Sequence, residues 1–443
     1  MMLVNIHIHK ILLLVLLSST GIANAQTYSL QQCIDTALIN NKKLQISRNN
    51  QQISEQKSKE VKANLLPKLD ANAEYKYYTD LPYQLMPLST FNPTAPEWQF
   101  KEAQFGVPHN INANLQLSVP LYNAQLYNNI ATTKIANQLA DLQKQKTEEQ
   151  VFFEVSNLYY NLQILANQQA FIDSNLQKTS KLLNNMKLLH SQLLAKATDV
   201  SKVELQQLQL QTQKQLLESK FEQVLNTLKL FMGIELTREV QIEKNIQMKE
   251  QLESSANNNI DLLLAQQRIN LVESELKSIK HSRIPSLSLF GMYGTTGFGY
   301  DKQPNDFLNF YPISFAGIRL QYPLFNGLAT QRKINQKKIE LTNVSLEAEW
   351  LKDQTNLQTT NASNEKIVSF QSVKNAEKQL ALAEKVYMQT LLQLKEGTAS
   401  LTEVLLADNT FRESQQNYLA AVIAYFKADL ELKKLTGNFT IKN

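Results

Sequence analysis

Two stretches of the chain alternate apolar and polar residues and then stop in the same way. Leu115–Asn123 reads LQLSVPLYN and Ile318–Asn326 reads IRLQYPLFN. Successive side chains of a strand point to opposite sides, so such alternation predicts strands with one apolar and one polar face. In Ile111–Val119 the apolar set is Ile111, Ala113, Leu115, Leu117 and Val119, with Asn112, Asn114, Gln116 and Ser118 between them. Lys68–Tyr77 sets Leu69, Ala71, Ala73, Tyr75 and Tyr77 against Lys68, Asp70, Asn72, Glu74 and Lys76. Ser286–Thr295 alternates less cleanly around Gly291 and Gly294, and Ser314–Tyr322 places Ala316, Ile318, Leu320 and Tyr322 on one face. Such strands suit a sandwich packed on a core, or a barrel wall with lipid outside and water inside. Tyr75, Tyr77, Tyr78, Tyr122, Tyr293, Tyr322 and Phe325 cluster near the ends of the runs, as interfacial girdles require.

A second pattern fills the space between the strands. All 11 prolines fall in Pro67–Pro120 and Pro285–Pro323, leaving two long tracts rich in Leu, Gln, Lys, Ala and Glu that read as helix. From Val155, apolar residues recur at alternating spacings of three and four through Leu162, Leu165, Ile172, Leu183, Met186 and Leu193, a coiled-coil seam on which His190 also falls. The series Val373, Ala376, Leu380, Ala383, Tyr387, Thr390 and Leu394 repeats it more weakly. Positions 124–194 would make a rod roughly 105 Å long at 1.5 Å per residue. The first tract breaks at KATDV, Lys196–Val200, where Asp199 is an expected N-cap. The second breaks at EGTASLTEV, where Gly397 can end one helix and Ser400 can cap the next. Each tract is thus a helical hairpin.

The chain opens with Lys10, the apolar run Ile11–Leu17 and the small-x-small site Ala23-Asn24-Ala25, so 1–25 reads as a signal peptide. The formal net charge of +5 falls to +4 without it, which gives no reason to expect nucleic acid as a partner. One cysteine, Cys33, excludes an internal disulfide framework. No later apolar run reaches the length of a membrane-spanning helix, which leaves a β-barrel open. Four strands cannot close a barrel and open edges are not tolerated in lipid, so a barrel reading requires assembly with other copies, three of which would supply twelve strands. His109, His190 and His281 are far apart, and no spacing resembles a zinc site, a nucleophile elbow or a phosphate loop. No enzyme activity, metal or cofactor is expected.

The two halves also align. NLLPKLDANAEY matches SRIPSLSLFGMY, the paired junctions lie 203 residues apart, and ATDVSKVEL matches TASLTEVLL at 201. The expected organisation is a first repeat over 26–233, with strands 68–78 and 111–120 and a hairpin tip near 194–200. A linker or equatorial segment follows at 234–258. The second repeat covers 259–437, with strands 286–297 and 313–323 and a tip near 396–401, before a C-terminal tail at 438–443.

SLQQCIDTALINNKKLQISRNNQQ, with Ala37, Leu38 and Asn41, resembles the first helix of the TolC-like outer-membrane efflux protein family. The junctions LQLSVPLYN and LQYPLFNG resemble its strand-to-helix crossings, marked here by Pro120, Tyr122, Pro323 and Phe325, and EGTASLTEVLLADNTF resembles its second hairpin tip. The resemblance covers nearly all of the chain after the signal. It implies an α+β membrane protein, a homotrimer whose twelve-stranded outer-membrane β-barrel, four strands per chain, continues into a periplasmic α-helical coiled-coil barrel. It implies a Gram-negative outer-membrane location, contact with outer-membrane lipid, a periplasmic adaptor (membrane fusion) protein and an inner-membrane transporter as partners. The role implied is a passive exit duct of a tripartite efflux system for small molecules. The alternatives are the duct of a type I protein or peptide secretion system and a pore-less periplasmic scaffold. Adaptor contact is expected at Lys196, Ala197, Thr198, Asp199, Gly397, Thr398, Ala399 and Ser400. Asp199 and Glu403 are candidates for an acidic ring constricting the tunnel, or else simple helix-start residues on a solvated face. The first tip departs from family members that carry a glycine in both, for LLAKATDV has none.

Overall fold

The computed structural model describes residues 26–104, 106–246, 248, 259–300 and 309–437. The signal peptide 1–25, most of 247–258 in the expected linker and the tail 438–443 lie outside the described residues. The elements are β1 (Gln26–Tyr28), α1 (Leu30–Asn40), α2 (Lys42–Ala63), β2 (Lys68–Tyr77), β3 (Tyr83–Pro87), β4 (Phe100–Gln104), β5 (His109–Tyr122), α3 (Ala124–Ser191) and α4 (Ala197–Met232). Then follow β6 (Val240–Ile242), α5 (Ile260–His281), β7 (Ser286–Gly299), β8 (Asn309–Gln321), α6 (Ala329–Lys395) and α7 (Leu401–Thr436). The chain divides into two compact units, one of 50–141 with 264–348 and one of 1–49, 142–263 and 349–443.

The first of these units holds a four-stranded sheet in the order β2-β5-β7-β8, antiparallel throughout. Its register puts Leu69, Leu117, Gly291 and Ala316 in one line, and Asp70, Gln116, Met292 and Phe315 in the next. Side chains alternate, so the apolar sets of all four strands share one face. The opposite face carries the polar sets of β2 and β5, where Asn72 donates to Asn114 and Thr296 to Asn112. On β7 and β8 that second face is mixed. Phe290 and Phe315 meet edge to face at 6.1 Å, and the Arg319 guanidinium lies 4.9 Å from the Phe290 ring centre.

The two junctions differ. β5 runs through Pro120 to Tyr122, with a register shift between them against β7, whereas β8 stops at Gln321 and Tyr322–Asn326 leave the sheet. Pro120 therefore stands inside a strand that continues to Tyr122, past the end at 120 read from the sequence. At Pro120 β5 pairs with β7 alone, because its ladder with β2 ends at Ser118, and the register shift follows the proline. β8 is an edge with one partner and ends before Pro323.

Around the sheet, helices meet through small polar side chains. Ser54 donates to Asn137 at 2.5 Å and Gln51 to Asp141 at 3.0 Å between α2 and α3. Asn128 donates to the Ser274 carbonyl at 2.8 Å between α3 and α5. Between the strands expected at 68–78 and 111–120 the chain forms a β3–β4 hairpin in which Leu85 opposes Glu102 and Pro87 opposes Phe100.

In the other unit, β1 pairs in parallel with β6, so the expected linker contributes a strand. Cys33, Ile34, Ala37, Val155, Leu162, Leu228 and Met232 form the core beneath them. Burial pushes the Cys33 thiol up to about 12, so it packs as a small apolar residue and not as a thiolate. The stretch expected as one opening helix is two. Asn41 leaves the helical region, accepts the Leu44 N–H at 3.1 Å and donates to the Phe231 carbonyl at 2.7 Å, so it ends α1 and caps α2.

Candidate functional site at the two helical turns

The turn after α3 closes by a pair of hydrogen bonds. The Leu194 N–H donates to Leu189 O at 2.8 Å and the Leu193 N–H to His190 O at 2.9 Å. The turn after α6 does the same, from Thr398 to Gln393 O at 2.9 Å and from Gly397 to Leu394 O at 3.1 Å. This double closure needs one residue in the left-handed region, a place suited to glycine. Gly397 takes it at φ 75° and Leu193 at φ 60°. Leucine therefore holds the glycine position of the first turn, and it is 91% exposed.

The helices that return begin 204 residues apart, at Lys196 and Ser400, not at the offset of 201 read from the sequence. Ser400 is an N-cap with a full capping box. Its N–H donates to Glu403 Oε2 at 2.7 Å, and its hydroxyl accepts the Glu403 N–H at 3.3 Å. Lys196 is the cap of the first return and its side chain makes no capping bond. Asp199 is thus not the N-cap. It sits three residues in, at the place of Glu403, 3.6 Å from Lys202. Both acids lie where the helix N-terminus favours negative charge. Glu403 is engaged by its own cap, while Asp199 has only the exposed lysine. Lys196, Ala197 and Thr198 are exposed, as are Gly397, Thr398 and Ser400, and Ala399 is half-buried.

His190 is not a seam residue. It lies at the last turn of α3, exposed, with Nδ1 2.9 Å from the Ala195 carbonyl, an oxygen that can only accept, so Nδ1 carries the hydrogen. His109 is in β5 and His281 ends α5; among the described residues no group of His, Cys, Asp and Glu could hold a metal ion.

Immediately behind, the two hairpins share one apolar cluster. Leu182, Leu183 and Met186 of α3 meet Val203 of α4, Tyr387 of α6, and Leu401, Val404 and Phe411 of α7. The turns are therefore brought together, although they are distant in sequence. Within the cluster lies a polar group that sequence reasoning missed. Buried Asp408 accepts from Gln206 of α4 and pairs with Arg412 at 2.9 Å. Burial raises its carboxyl above the ordinary carboxylate value, opposed by Arg412, the Gln206 hydrogen bond and Lys178. The Tyr387 and Phe411 rings stack at 5.8 Å, and Lys178 Nζ stands 4.6 Å from the Phe411 centre. One helical turn further, Asn175 donates to Gln415 at 2.8 Å, both buried. The polar members of α7 recur at Asp408, Arg412 and Gln415, spaced along one helical face amid apolar neighbours, and that spacing was the available signal.

Among the described residues no helix is long and apolar enough to cross a membrane. Residues 252–438 match the model of the outer membrane efflux protein family. No curated protein matches the chain. The fold is similar to that of the outer membrane protein VceC of Vibrio cholerae, with a TM-score of 0.74, 15% identity, and coverage of 92% of this chain and 96% of that one. It is similar to the CmeC outer membrane channel of Campylobacter jejuni at 0.75 and 14%, covering 92% and 85%. For the open state of the MtrE outer membrane channel of Neisseria gonorrhoeae the values are 0.72 and 14%, covering 92% and 88%.

Proposed function

We propose that this chain, an outer membrane efflux protein by the family match of its residues 252–438 and a channel protein by its fold, is one third of a passive exit duct for small molecules. It stands in the outer membrane of a Gram-negative bacterium, with a large periplasmic portion. The sheet carries this reading. Its apolar residues share one face, while its first and last strands, β2 and β8, each have a free side. A sheet of that kind is stable in lipid only when its edges meet, and three copies closing edge to edge make twelve strands. The helical hairpins then form the periplasmic tunnel that the family resemblance implies.

The family resemblance implies that selectivity and energy come from partners. We place the periplasmic adaptor at Lys196–Asp199 and Gly397–Ser400, on the exposed turns, and the inner-membrane transporter beyond it. Of the two acids, Asp199 is the better candidate for a ring at the tunnel end, because Glu403 accepts two hydrogen bonds from Ser400. The test is to purify the protein from outer membranes, measure its native mass and insert it into a planar bilayer. A trimer that conducts supports the duct. A soluble periplasmic protein, or one that never conducts, overturns it.

A further inference from the structure

The β3–β4 hairpin leaves the sheet at Tyr77, the end of β2 away from α2, and returns to β5 at His109. Its pairing places Tyr83, Leu85, Pro87 and Phe100 on one face, since Leu85 opposes Glu102 and Pro87 opposes Phe100. The opposite face holds Met86 and Ala103, both half-buried. The first face is open, with Tyr83, Leu85 and Phe100 between 57 and 70% exposed. A two-stranded hairpin is marginal in water by itself, and bare aromatic patches on a water-facing loop mark contact surfaces. Glu102 and Gln104 share the open face, which argues against lipid as its cover, since a carboxylate placed against hydrocarbon is costly.

The topology points to a different cover. β2 is an edge strand, so the hairpin rises at the boundary of the protomer and not above its middle. β2 runs away from the helices and β8 runs back toward them, so the two edges can join only as an antiparallel pair, like every other pair in the sheet. The loop end of β2 then meets the loop end of another copy's β8. There Phe310, Tyr311 and Ile313 are exposed at 42 to 58%. We infer that the β3–β4 hairpin is a clasp across the seam between copies, its Tyr83–Leu85–Phe100 face packing on Phe310–Ile313 of the next copy. The clasp rests on the trimer reading above. It locks each seam from its outer end, where strand pairing alone would fray.

The experiment uses the full chain, purified in detergent in a Cys33→Ser background. Leu85→Cys and Tyr311→Cys are combined in one chain and oxidised, and each single variant serves as control. The expected result is a ladder of covalent dimers and trimers that needs both cysteines. In parallel, Leu85→Glu with Phe100→Glu is expected to lower the temperature at which the trimer dissociates by at least 10 °C, while Gln84→Glu on the other face leaves it unchanged. A trimeric Leu85→Cys/Tyr311→Cys protein that gives no intermolecular bridge, or a Leu85→Glu/Phe100→Glu trimer that dissociates at the wild-type temperature, overturns the clasp and leaves the duct standing. A wild-type protein of single-chain mass overturns both.

Discussion

Asp408 and Arg412 face each other one turn apart on α7, carboxylate to guanidinium at 2.9 Å, inside the apolar cluster that joins the two helical hairpins. Gln206 reaches the same carboxylate from α4, so a single acid ties the return of the first hairpin to that of the second. A buried charge that loses its partner is far more costly than the pair is favourable.

Arg412→Leu should therefore destabilise the protein by about 3 kcal/mol, at the lower end for a buried pair because the arginine is partly exposed. Burial already raises the Asp408 carboxyl, and loss of Arg412 raises it further. A raised acid contributes stability that is present at low pH and lost as pH rises. The melting gap between wild type and variant should then be wider at pH 8 than at pH 5. Thermal melts at both values check this, and a gap that does not depend on pH would contradict it.

Leu193 pays a left-handed penalty that Gly397 does not. Leu193→Gly should stabilise the first turn by about 1 kcal/mol, and Gly397→Leu should destabilise the second by 1–2 kcal/mol (order of magnitude). Chemical denaturation of the two variants is the measure. Small effects in both variants would show that the left-handed position carries no such penalty.

Glu149 lines a cleft of about 400 Å³ with Lys43, Lys146, Phe153, Asp261 and Lys434. Burial first, and the Asp261 charge second, push its carboxyl from 4.5 up to about 7, against the pull of Lys146 and Lys434. The proton is held more tightly in the folded protein, so the stability it gives is full below pH 4.5 and is lost as pH rises through about 7. Wild type should lose melting temperature between pH 5 and pH 8, and Glu149→Gln should lose less. Parallel slopes in the two proteins would refute the assignment.

The shared apolar face gives a further comparison. Leu117 stands in line with Leu69, Gly291 and Ala316, whereas its neighbour Gln116 stands in line with Asp70 and Met292. Leu117→Lys should cost about 2–4 kcal/mol in lipid and lower the yield of outer-membrane trimer, with Gln116→Lys near wild type. Equal yields would reverse or abolish the facing.

Much of the architecture was legible in the sequence. Strands and long helices announce themselves by different periods, two against three and four, and proline separates them. The departures have local causes. The seam was extended to His190 by periodicity alone, but α3 stops at Ser191 and its last turn faces solvent. The first tip hid its turn because a leucine occupies the position at which glycine is the usual signal. Asn41 reads in the sequence as part of a single first helix, yet it divides that helix in two and its side chain reaches Phe231, 190 residues away. The β3–β4 hairpin was masked by the prolines around it. The polar cluster at Asp408 could not be assembled from sequence, because Gln206 lies 202 residues earlier on a different helix.

The small parallel pair of β1 and β6 bears on the order of folding. Gln26 aligns with Val240, 214 residues later, and Tyr28, itself paired with Ile242, is buried with its carbonyl accepting from the Tyr159 hydroxyl. Synthesis delivers β1 long before β6, so residues 26–28 wait for the whole first half to emerge before they acquire a partner. A chain cut short before residue 240 would then be unfinished at both of its ends, and its N-terminal strand would be open to proteolysis.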